Sequence, residues 1–287
     1  MAKPRLGYVG TGLMGGPMVR RLLGLGYPIA AFDVVPDKVP EGAECAASPA
    51  AVCAGADLVL LNLPRPDTVA AAVFGPDGVA GAIKSDQLVI DFSTIEVETA
   101  RDLARRLRAA TGAGWIDAPV SGGPPASAAG TLTVMAGGDP ADIARVAPLM
   151  TDIAGRFTHL GPVGSGLAAK MINQLIVGCG YAVLAEALTL ARAAGIDPAR
   201  LPESLAGGHA DSALLQRLFP RLVAQDFAPQ GYARQLLKDL EMVNGLAGDL
   251  HAPVPMLGQA LSLYRMLVHR GHAELDAIAV LKLYERD

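Results

Sequence analysis

The stretch that decides the fold lies near the N-terminus, where residues 6–15 read Leu-Gly-Tyr-Val-Gly-Thr-Gly-Leu-Met-Gly. The apolar run Leu6–Val9 predicts a β-strand, and the amphipathic segment from about Leu13 to Leu25 predicts a helix after it. The glycines therefore stand in a strand-to-helix turn. Gly10 permits the tight turn, Gly12 lets a pyrophosphate approach the backbone, and Gly15 permits close packing of helix on strand. The amides at the helix N-terminus also favour phosphate binding.

An acidic residue downstream strengthens this interpretation. Asp33 ends the second predicted strand, Ile29–Asp33, about 20 residues after the turn, as expected of a carboxylate that accepts hydrogen bonds from a ribose. Val34 and Val35 follow, and no arginine stands there to bind a 2′-phosphate, although Lys38 could reach one. We therefore expect NAD in preference to NADP. The residues expected to bind this cofactor are Gly10, Thr11, Gly12, Leu13, Met14, Gly15 and Asp33.

The rest of the chain divides into two parts. Strand-like apolar runs separated by helical segments predict a parallel sheet covered by helices on both faces. After Gly166 only helical periodicity remains, beginning with a long helix at residues 165–194 that ends at Gly195. The prediction is an α/β fold: a Rossmann-type doubly wound sheet (1–163), then an all-helical domain (164–287) joined through a long interdomain helix. The further strands are predicted at residues 58–63, 88–91, 115–117, 131–136 and 156–160.

Composition excludes several classes of protein. Hydrophobic residues make up 51% of the 287 residues and charged residues 18%, which is typical of a globular protein. The net charge of −4, without long single-sign runs, argues against nucleic-acid binding. The most apolar stretch, residues 175–194, is interrupted by Glu186 and Arg192 and predicts a buried helix rather than a membrane span. The N-terminus shows no signal-peptide pattern, so we expect a cytoplasmic protein.

Cysteine and histidine show no ligand pattern. The three cysteines lie in apolar surroundings without disulfide or metal spacing, and we expect them to be small buried hydrophobes. The histidines also lack metal-ligand spacing, so no metal is expected. The residues concerned are Cys45, Cys53, Cys179, His159, His209, His251, His269 and His272.

Several loops follow strands of the predicted sheet, at the carboxyl edge where doubly wound sheets bind ligands. Leu63-Pro64 would contact the adenosine side of a cofactor, although a strand-terminating proline explains Pro64 nearly as well. Ser93-Thr94 follows the next strand. Ser121-Gly122-Gly123 offers consecutive amides with little side chain, a pattern that can bind a carboxylate.

Lys170 and Asn173 are the candidate catalytic residues. They stand three apart near the start of the long apolar helix and therefore share one face. A surface lysine is the plain alternative, but the helix dipole disfavours a cation near the N-terminus. Buried polar side chains are costly unless used or paired, and burial in an apolar cleft lowers the pKa of a lysine. We therefore expect both residues to be functional.

These motifs together resemble the β-hydroxyacid dehydrogenase family, which includes 3-hydroxyisobutyrate dehydrogenases, tartronate semialdehyde reductases and L-serine dehydrogenases. The resemblance runs nearly end to end. It rests on Gly10-x-Gly12-x-Met14-Gly15-x-x-Met18, Asp117-Ala-Pro-Val-Ser-Gly-Gly123 with Gly130-Thr131-Leu132, Gly164-x-Gly166-x-x-x-Lys170-x-x-Asn173, and Lys238-Asp239-Leu240.

The resemblance implies hydride transfer between NAD(P) and a small β-hydroxy acid or its semialdehyde or keto partner. Lys170 would be the general acid/base, a role typically worth ~10²–10⁴ in rate. Asn173 would hold the substrate or orient the lysine. The substrate carboxylate would be bound by Ser121, Gly122 and Gly123, and the cofactor also by Thr94 and Lys238.

The sequence departs from the family pattern at four places. Val97 stands where a proline is usual and Gln174 where a second asparagine is usual. The segment 207–210 lacks a large aromatic residue, and the segment before Lys238 is one residue shorter than usual. All but the first concern the side that shapes the substrate pocket. They leave the particular acid open and the reaction type unchanged.

Two alternative functions remain. One is an imine reductase or reductive aminase on the same scaffold, although such enzymes generally lack the lysine. The other is a non-catalytic dinucleotide-binding protein, which would have no reason to keep a buried cation. A 6-phosphogluconate dehydrogenase is excluded because those enzymes are much longer and have histidine where Ile172 stands.

The long helix also bears on assembly. It is more apolar than one small helical domain needs to bury. We therefore expect it to pack between the domains and against another subunit, giving a homodimer or homotetramer.

Overall fold

The computed structural model describes residues 3–285, which form two compact units, the first ending at Lys170 and the second beginning at Met171. The first unit is α/β and the second is helical, as predicted. The strands are β1 (Leu6–Val9), β2 (Ile29–Phe32), β3 (Glu44–Cys45), β4 (Leu58–Leu61), β5 (Leu88–Asp91), β6 (Gly114–Asp117), β7 (Val120–Ser121), β8 (Leu132–Gly137) and β9 (Ala154–Gly161). The helices of the first unit are α1 (Gly15–Gly24), α2 (Pro66–Phe74), α3 (Val97–Thr111), α4 (Gly123–Ala129) and α5 (Pro140–Ile153).

The strands form one sheet in the order β3-β2-β1-β4-β5-β6-β8-β7, with β9 paired to β8. From β3 to β6 every pairing is parallel. The register aligns the last residues of four neighbouring strands, Val9, Leu61, Asp91 and Asp117, at one edge. The chain order reverses direction on either side of β1, and ligands of doubly wound folds bind outside the carboxyl ends at such a switch point.

The central strands are buried on both faces. Every residue of β1, β4 and β5 is buried, as expected of a parallel sheet between two helical layers. Fully buried side chains from α1 and α5 join those of the strands in one core, because their apolar residues recur at helical spacing. Among the largest are Tyr8, Met18, Leu22, Leu60 and Ile90.

The connection from β2 to β4 differs from the sequence prediction. We expected a helical segment between successive strands, but this link holds only the 3₁₀ turns Pro36–Lys38 and Ala51–Cys53 and the two-residue β3. Prolines at 36, 40 and 49 remove backbone donors that an α-helix needs. The expectation that all three cysteines are buried was also wrong: Cys53 is buried and Cys179 half-buried, whereas Cys45 is exposed, since β3 is an edge strand.

The second unit is built from helices around its own core. The helix α6 (Ser165–Ala193) contains the boundary between the units, and α7 (Leu201–Leu205), α8 (Ala213–Val223), α9 (Ala233–Asp249) and α10 (Pro255–His269) follow it. A 3₁₀ segment, Ala277–Leu283, completes the core, where the Tyr264 hydroxyl donates to the carbonyl of Ala277 over 3.0 Å. The predicted stop of α6 is confirmed, because Gly195 adopts φ +69° and Ile196 N–H bonds back to the carbonyl of Ala191.

One face of α6 is exposed although its side chains are apolar. The helix α6 is long and apolar enough to span a membrane, with a mean hydropathy of 1.6 over 18 residues. Core helices of soluble proteins reach the same length and hydropathy. Lys170 and Gln174 on this helix are buried, which favours a core helix. Four large apolar side chains on one stripe are exposed, namely Ile172, Ile176, Val183 and Leu190.

Candidate active site

The glycine-rich turn has the geometry that its sequence predicts. Gly10 follows β1 with φ +95°, a conformation that favours glycine. A Cβ at Gly15 would overlap the carbonyl oxygen of Gly10, so the close packing of α1 on β1 requires glycine there. A Cβ at Gly12 would meet no heavy atom within 4 Å. The backbone at Gly12 therefore borders open space beside the start of α1, and this space fits a bound pyrophosphate.

Asp33 is fixed against this turn. Its Oδ2 accepts hydrogen bonds from Thr11 N–H (2.8 Å) and the Thr11 hydroxyl (3.3 Å), and its Oδ1 accepts one from Val35 N–H (3.0 Å). The next residue, Val34, is 86% exposed. A carboxylate held at this position can accept hydrogen bonds from ribose hydroxyls, so Asp33 and the turn together fit a dinucleotide.

The loops after β4 and β5 are joined to each other. Leu63 N–H donates to the Ser93 hydroxyl (2.9 Å), and Ser93 N–H donates to Asp91 Oδ1 (2.9 Å). Thr94 follows at once. The structure thus brings the predicted residues Leu63, Pro64 and Thr94 to the sheet edge that carries the glycine-rich turn, because β1, β4 and β5 pair in parallel.

Ser121, Gly122 and Gly123 form the turn between β7 and α4. Gly122 and Gly123 have φ +129° and +71°, so two successive residues adopt a backbone conformation that favours glycine. All three are half-buried. Pro124 and Pro125 come next and have no N–H group. The N–H groups that this turn can offer a ligand are therefore those of residues 121–123.

Lys170 lies in the second turn of α6 and is only 7% exposed. The start of that helix is attached to β6 by Asp117, whose Oδ1 accepts from Gly164 N–H (2.7 Å) and whose Oδ2 accepts from Leu167 N–H (2.8 Å). Because Asp117 ends β6, the beginning of α6 lies at the sheet edge that carries the glycine-rich turn. β6 is three strands from β1, about 14 Å at ordinary strand spacing.

Asn173 begins a chain of hydrogen bonds in the second unit. Its Nδ2 donates to Gln174 Oε1 (2.8 Å), and Gln174 Nε2 donates to Asp239 Oδ2 (2.6 Å). The other oxygen of Asp239 lies 3.1 Å from Lys238 Nζ. Sequence reasoning noted Gln174 as a departure and quoted Asp239 within a family motif, but it gave Asp239 no role. Asp239 is 4% exposed. An aspartate on the apolar face of α9 was the signal that could have found it.

A separate groove of about 900 Å³ is present in the first unit. It is lined mainly by α3, the start of β6 and the residues around His159. None of the predicted site residues line it.

Comparison with known proteins agrees with this arrangement. Residues 5–161 match the family model described as the NAD binding domain of 6-phosphogluconate dehydrogenase. Residues 164–284 match the model described as "NAD-binding of NADP-dependent 3-hydroxyisobutyrate dehydrogenase". These two models, together with a glycine-rich turn and a carboxylate whose geometry fits a dinucleotide, define an oxidoreductase that uses a nicotinamide dinucleotide.

Relatives that match over nearly their whole length indicate which kind of oxidoreductase this is. The chain is 35% identical to the 3-hydroxyisobutyrate dehydrogenase of Pseudomonas aeruginosa (97% of this chain, 98% of the relative) and 34% identical to the NAD-dependent L-serine dehydrogenase of the same organism (98% of each). The structure of Mycobacterium tuberculosis 3-hydroxyisobutyrate dehydrogenase with L-serine superposes with a TM-score of 0.88 at 29% identity, covering 99% of this chain and 100% of that one. The chain belongs to the β-hydroxyacid dehydrogenase family and is a hydroxy-acid dehydrogenase.

Imine reductases are more distant. One from a Pseudomonas species has a TM-score of 0.63 at 19% identity, covering 99% of this chain and all of that one. This likeness extends to the fold alone.

Proposed function

We propose that the protein oxidises a small β-hydroxy acid, or reduces the corresponding semialdehyde or keto acid, with Lys170 as the general acid/base. The observation that carries the proposal is a buried lysine in the second turn of a helix whose start is fixed at the sheet edge that carries the glycine-rich turn. A buried lysine is costly unless it is used or paired. The family motif Gly164-x-Gly166-x-x-x-Lys170-x-x-Asn173 supports the same role.

The chemistry needs one proton transfer and one hydride transfer. When bound, the nicotinamide ring supplies the hydride acceptor for oxidation and the hydride donor for reduction. In oxidation the uncharged Nζ of Lys170 accepts the hydroxyl proton as the C–H bond breaks and the carbonyl forms. In reduction the ammonium form of Lys170 donates that proton to the nascent alkoxide. General acid–base catalysis of this kind contributes ~10²–10⁴ in rate.

The remaining residues have binding roles in this proposal. Asn173, one turn along α6, holds the substrate or orients Lys170. Backbone amides and the hydroxyl of residues 121–123 bind the substrate carboxylate, which implies a small anionic substrate. Thr94 and Lys238 contact the cofactor, together with Leu63 and Pro64. Nothing in this reaction calls for a metal ion.

We also propose that NAD is preferred over NADP. A carboxylate at Asp33 repels a 2′-phosphate, and the adjacent Val34 and Val35 offer it no positive charge. The exposed cation closest to Asp33 in sequence is Lys38, which lies in the 3₁₀ turn Pro36–Lys38. The expected result is a larger kcat/KM with NAD than with NADP.

The exposed stripe on α6 supports the proposal of a homo-oligomer. Ile172, Ile176, Val183 and Leu190 are each more than half exposed, and their spacing places them on one face. A second copy of the chain would bury this stripe. We propose at least a homodimer, and a cytoplasmic location for it.

A substrate panel tests the proposed reaction. NAD and NADP are assayed with L-serine, 3-hydroxyisobutyrate, 3-hydroxypropionate and D-glycerate, and NADH and NADPH with glyoxylate and succinic semialdehyde. The expected result is turnover of at least one of these acids or aldehydes, lost in Lys170→Ala while cofactor binding persists. Reduction of a cyclic imine such as 1-pyrroline with no activity on any acid or aldehyde would overturn the proposal. Cofactor binding without any turnover would favour the non-catalytic alternative.

A further inference from the structure

Asp117 does more at the start of α6 than an ordinary helix cap. Leu167 is the third residue of the helix, and its amide is one of the first four that have no partner within the helix. A local side chain usually accepts such a bond. Here the acceptor comes from the end of a β-strand 50 positions earlier in the chain. The carboxylate therefore sets the position of the first turn of α6 against the sheet.

The surrounding glycines make room for this carboxylate. A Cβ at Gly137 would lie 2.5 Å from Asp117 Oδ1, and a Cβ at Gly166 would lie 2.9 Å from Oδ2. Gly164, which donates to the carboxylate, has φ +94°. The two glycines of the family motif that contains Lys170, Gly164 and Gly166, thus have a physical reason to be glycine. Both bring the start of α6 against Asp117.

The position of Lys170 follows from this attachment. Lys170 is three residues after Leu167, so it lies about 4.5 Å further along the axis on nearly the same face. If the first turn unwinds or shifts by one residue, side chains on α6 rotate by about 100°. Asp117 does not need to touch a reacting atom to control where the Lys170 ammonium lies.

We propose that Asp117 is a positioning residue for Lys170: its ionised carboxylate fixes the first turn of α6, and efficient turnover requires Asp117 to be ionised. The inference deepens and rests on the acid/base role proposed for Lys170. A protonated Asp117 presents an O–H in place of one lone pair toward the amides of Gly164 and Leu167. One of these hydrogen bonds is then lost and the first turn loosens.

The titration of Asp117 lies within the usual range of an assay. Burial raises the pKa of Asp117 to about 6, against the opposing effect of the amides that donate to it. Other ionisable groups lie on the elements packed around it: Asp91 on β5, His159 on β9, Arg101 on α3 and Lys170 itself. Of these, His159 is controlled by substitution.

The pH dependence of the reduction reaction separates Asp117 from Lys170. Reduction uses the protonated form of Lys170, so Lys170 alone would leave the rate constant or raise it as the pH falls. With Asp117 as a positioning residue, kcat for reduction of the best aldehyde in the panel falls below pH 6 and approaches a tenfold loss per pH unit. The loss reverses on return to pH 7.5.

Two variants complete the experiment. His159→Gln retains an N–H donor for the carbonyls of Gly138 and Gly161, and we expect it to keep the acidic loss. Asp117→Asn is expected to lack that pH dependence and to have kcat lowered by roughly 10²-fold at pH 7.5, the scale of a 1 Å misplacement. NADH affinity, measured by fluorescence titration, is expected to stay within about twofold, since Asp117 acts on Lys170 and not on the glycine-rich turn.

The outcomes are distinguishable. A reduction rate that stays constant or rises down to pH 5, a loss that disappears in His159→Gln, or wild-type kcat in Asp117→Asn would overturn the positioning role. If Asp117→Asn does not fold, the wild-type and His159→Gln profiles decide alone. Near-normal turnover in Lys170→Ala would instead remove the proposed function itself.

Discussion

Replacing Gly12 by alanine separates cofactor binding from folding at the glycine-rich turn. A Cβ at this position meets nothing within 4 Å, and the backbone of Gly12 is not in the left-handed region. The free energy of unfolding should therefore change by no more than about 0.5 kcal/mol. The methyl group would stand in the space where a pyrophosphate approaches the backbone. Crowding of this kind costs about 1–3 kcal/mol, which weakens NADH binding roughly 5- to 150-fold.

Gly15→Ala is the matched control, with the opposite expectation. Its Cβ would overlap the carbonyl oxygen of Gly10. Because both atoms are fixed by the backbone, the overlap can be relieved only if α1 moves away from the turn. We expect a loss of at least about 1–3 kcal/mol in the free energy of unfolding. Urea denaturation and NADH fluorescence titration on both variants are the assays. Wild-type NADH affinity in Gly12→Ala, or wild-type stability in Gly15→Ala, would refute the account of this turn.

Three further predictions follow from other parts of the structure. Asp33→Ser combined with Val34→Arg should reverse the preference from NAD to NADP, because the first change removes a repelling carboxylate and the second places a cation at position 34, which is 86% exposed. Unchanged ratios of kcat/KM would contradict this. Gln174→Leu should lower the free energy of unfolding by about 1–3 kcal/mol, because Asp239 Oδ2 loses its donor. The control Gln259→Leu, at an exposed position, should change it by less than about 0.5 kcal/mol. Equal effects of the two variants in urea denaturation would refute this prediction. Ile176→Glu should convert the oligomer to a monomer, as measured by light scattering, while Leu250→Glu, at an exposed leucine outside α6, should leave the mass unchanged. An unchanged mass for Ile176→Glu, or a monomeric wild type, would argue against the stripe as an interface.

The first unit shows how much of the fold could be predicted from local patterns. The strands β1, β4 and β5 are apolar throughout and buried on both faces, so short runs of Leu, Val and Ile sufficed to find them. The link between β2 and β4 was mispredicted, because proline chemistry there outweighs the expected alternation of strand and helix.

The candidate site was predicted where the signal is local and missed where it is distant. The glycine-rich turn and the Lys170–Asn173 pair depend on residues close together in sequence. The bonds from Asp117 to the start of α6 span 47 and 50 positions, and the bond from Gln174 to Asp239 spans 65. A single sequence contains no pairing information at such separations. The sequence predicted that α6 has more apolar surface than its domain buries, but helical periodicity does not indicate which apolar face the chain itself covers. Only the structure locates the exposed stripe that begins at Ile172.

The central claim is that Lys170 transfers the proton, and chemical rescue tests it most directly. Hydride transfer is followed in a single turnover with Lys170→Ala, NADH and the best aldehyde of the panel, with and without added ethylammonium. We predict a rate at least about 10²-fold below wild type, NADH affinity within about twofold of wild type, and a partial recovery that increases with ethylammonium concentration. A rate close to that of the wild type in Lys170→Ala, with NADH bound normally, would contradict the account.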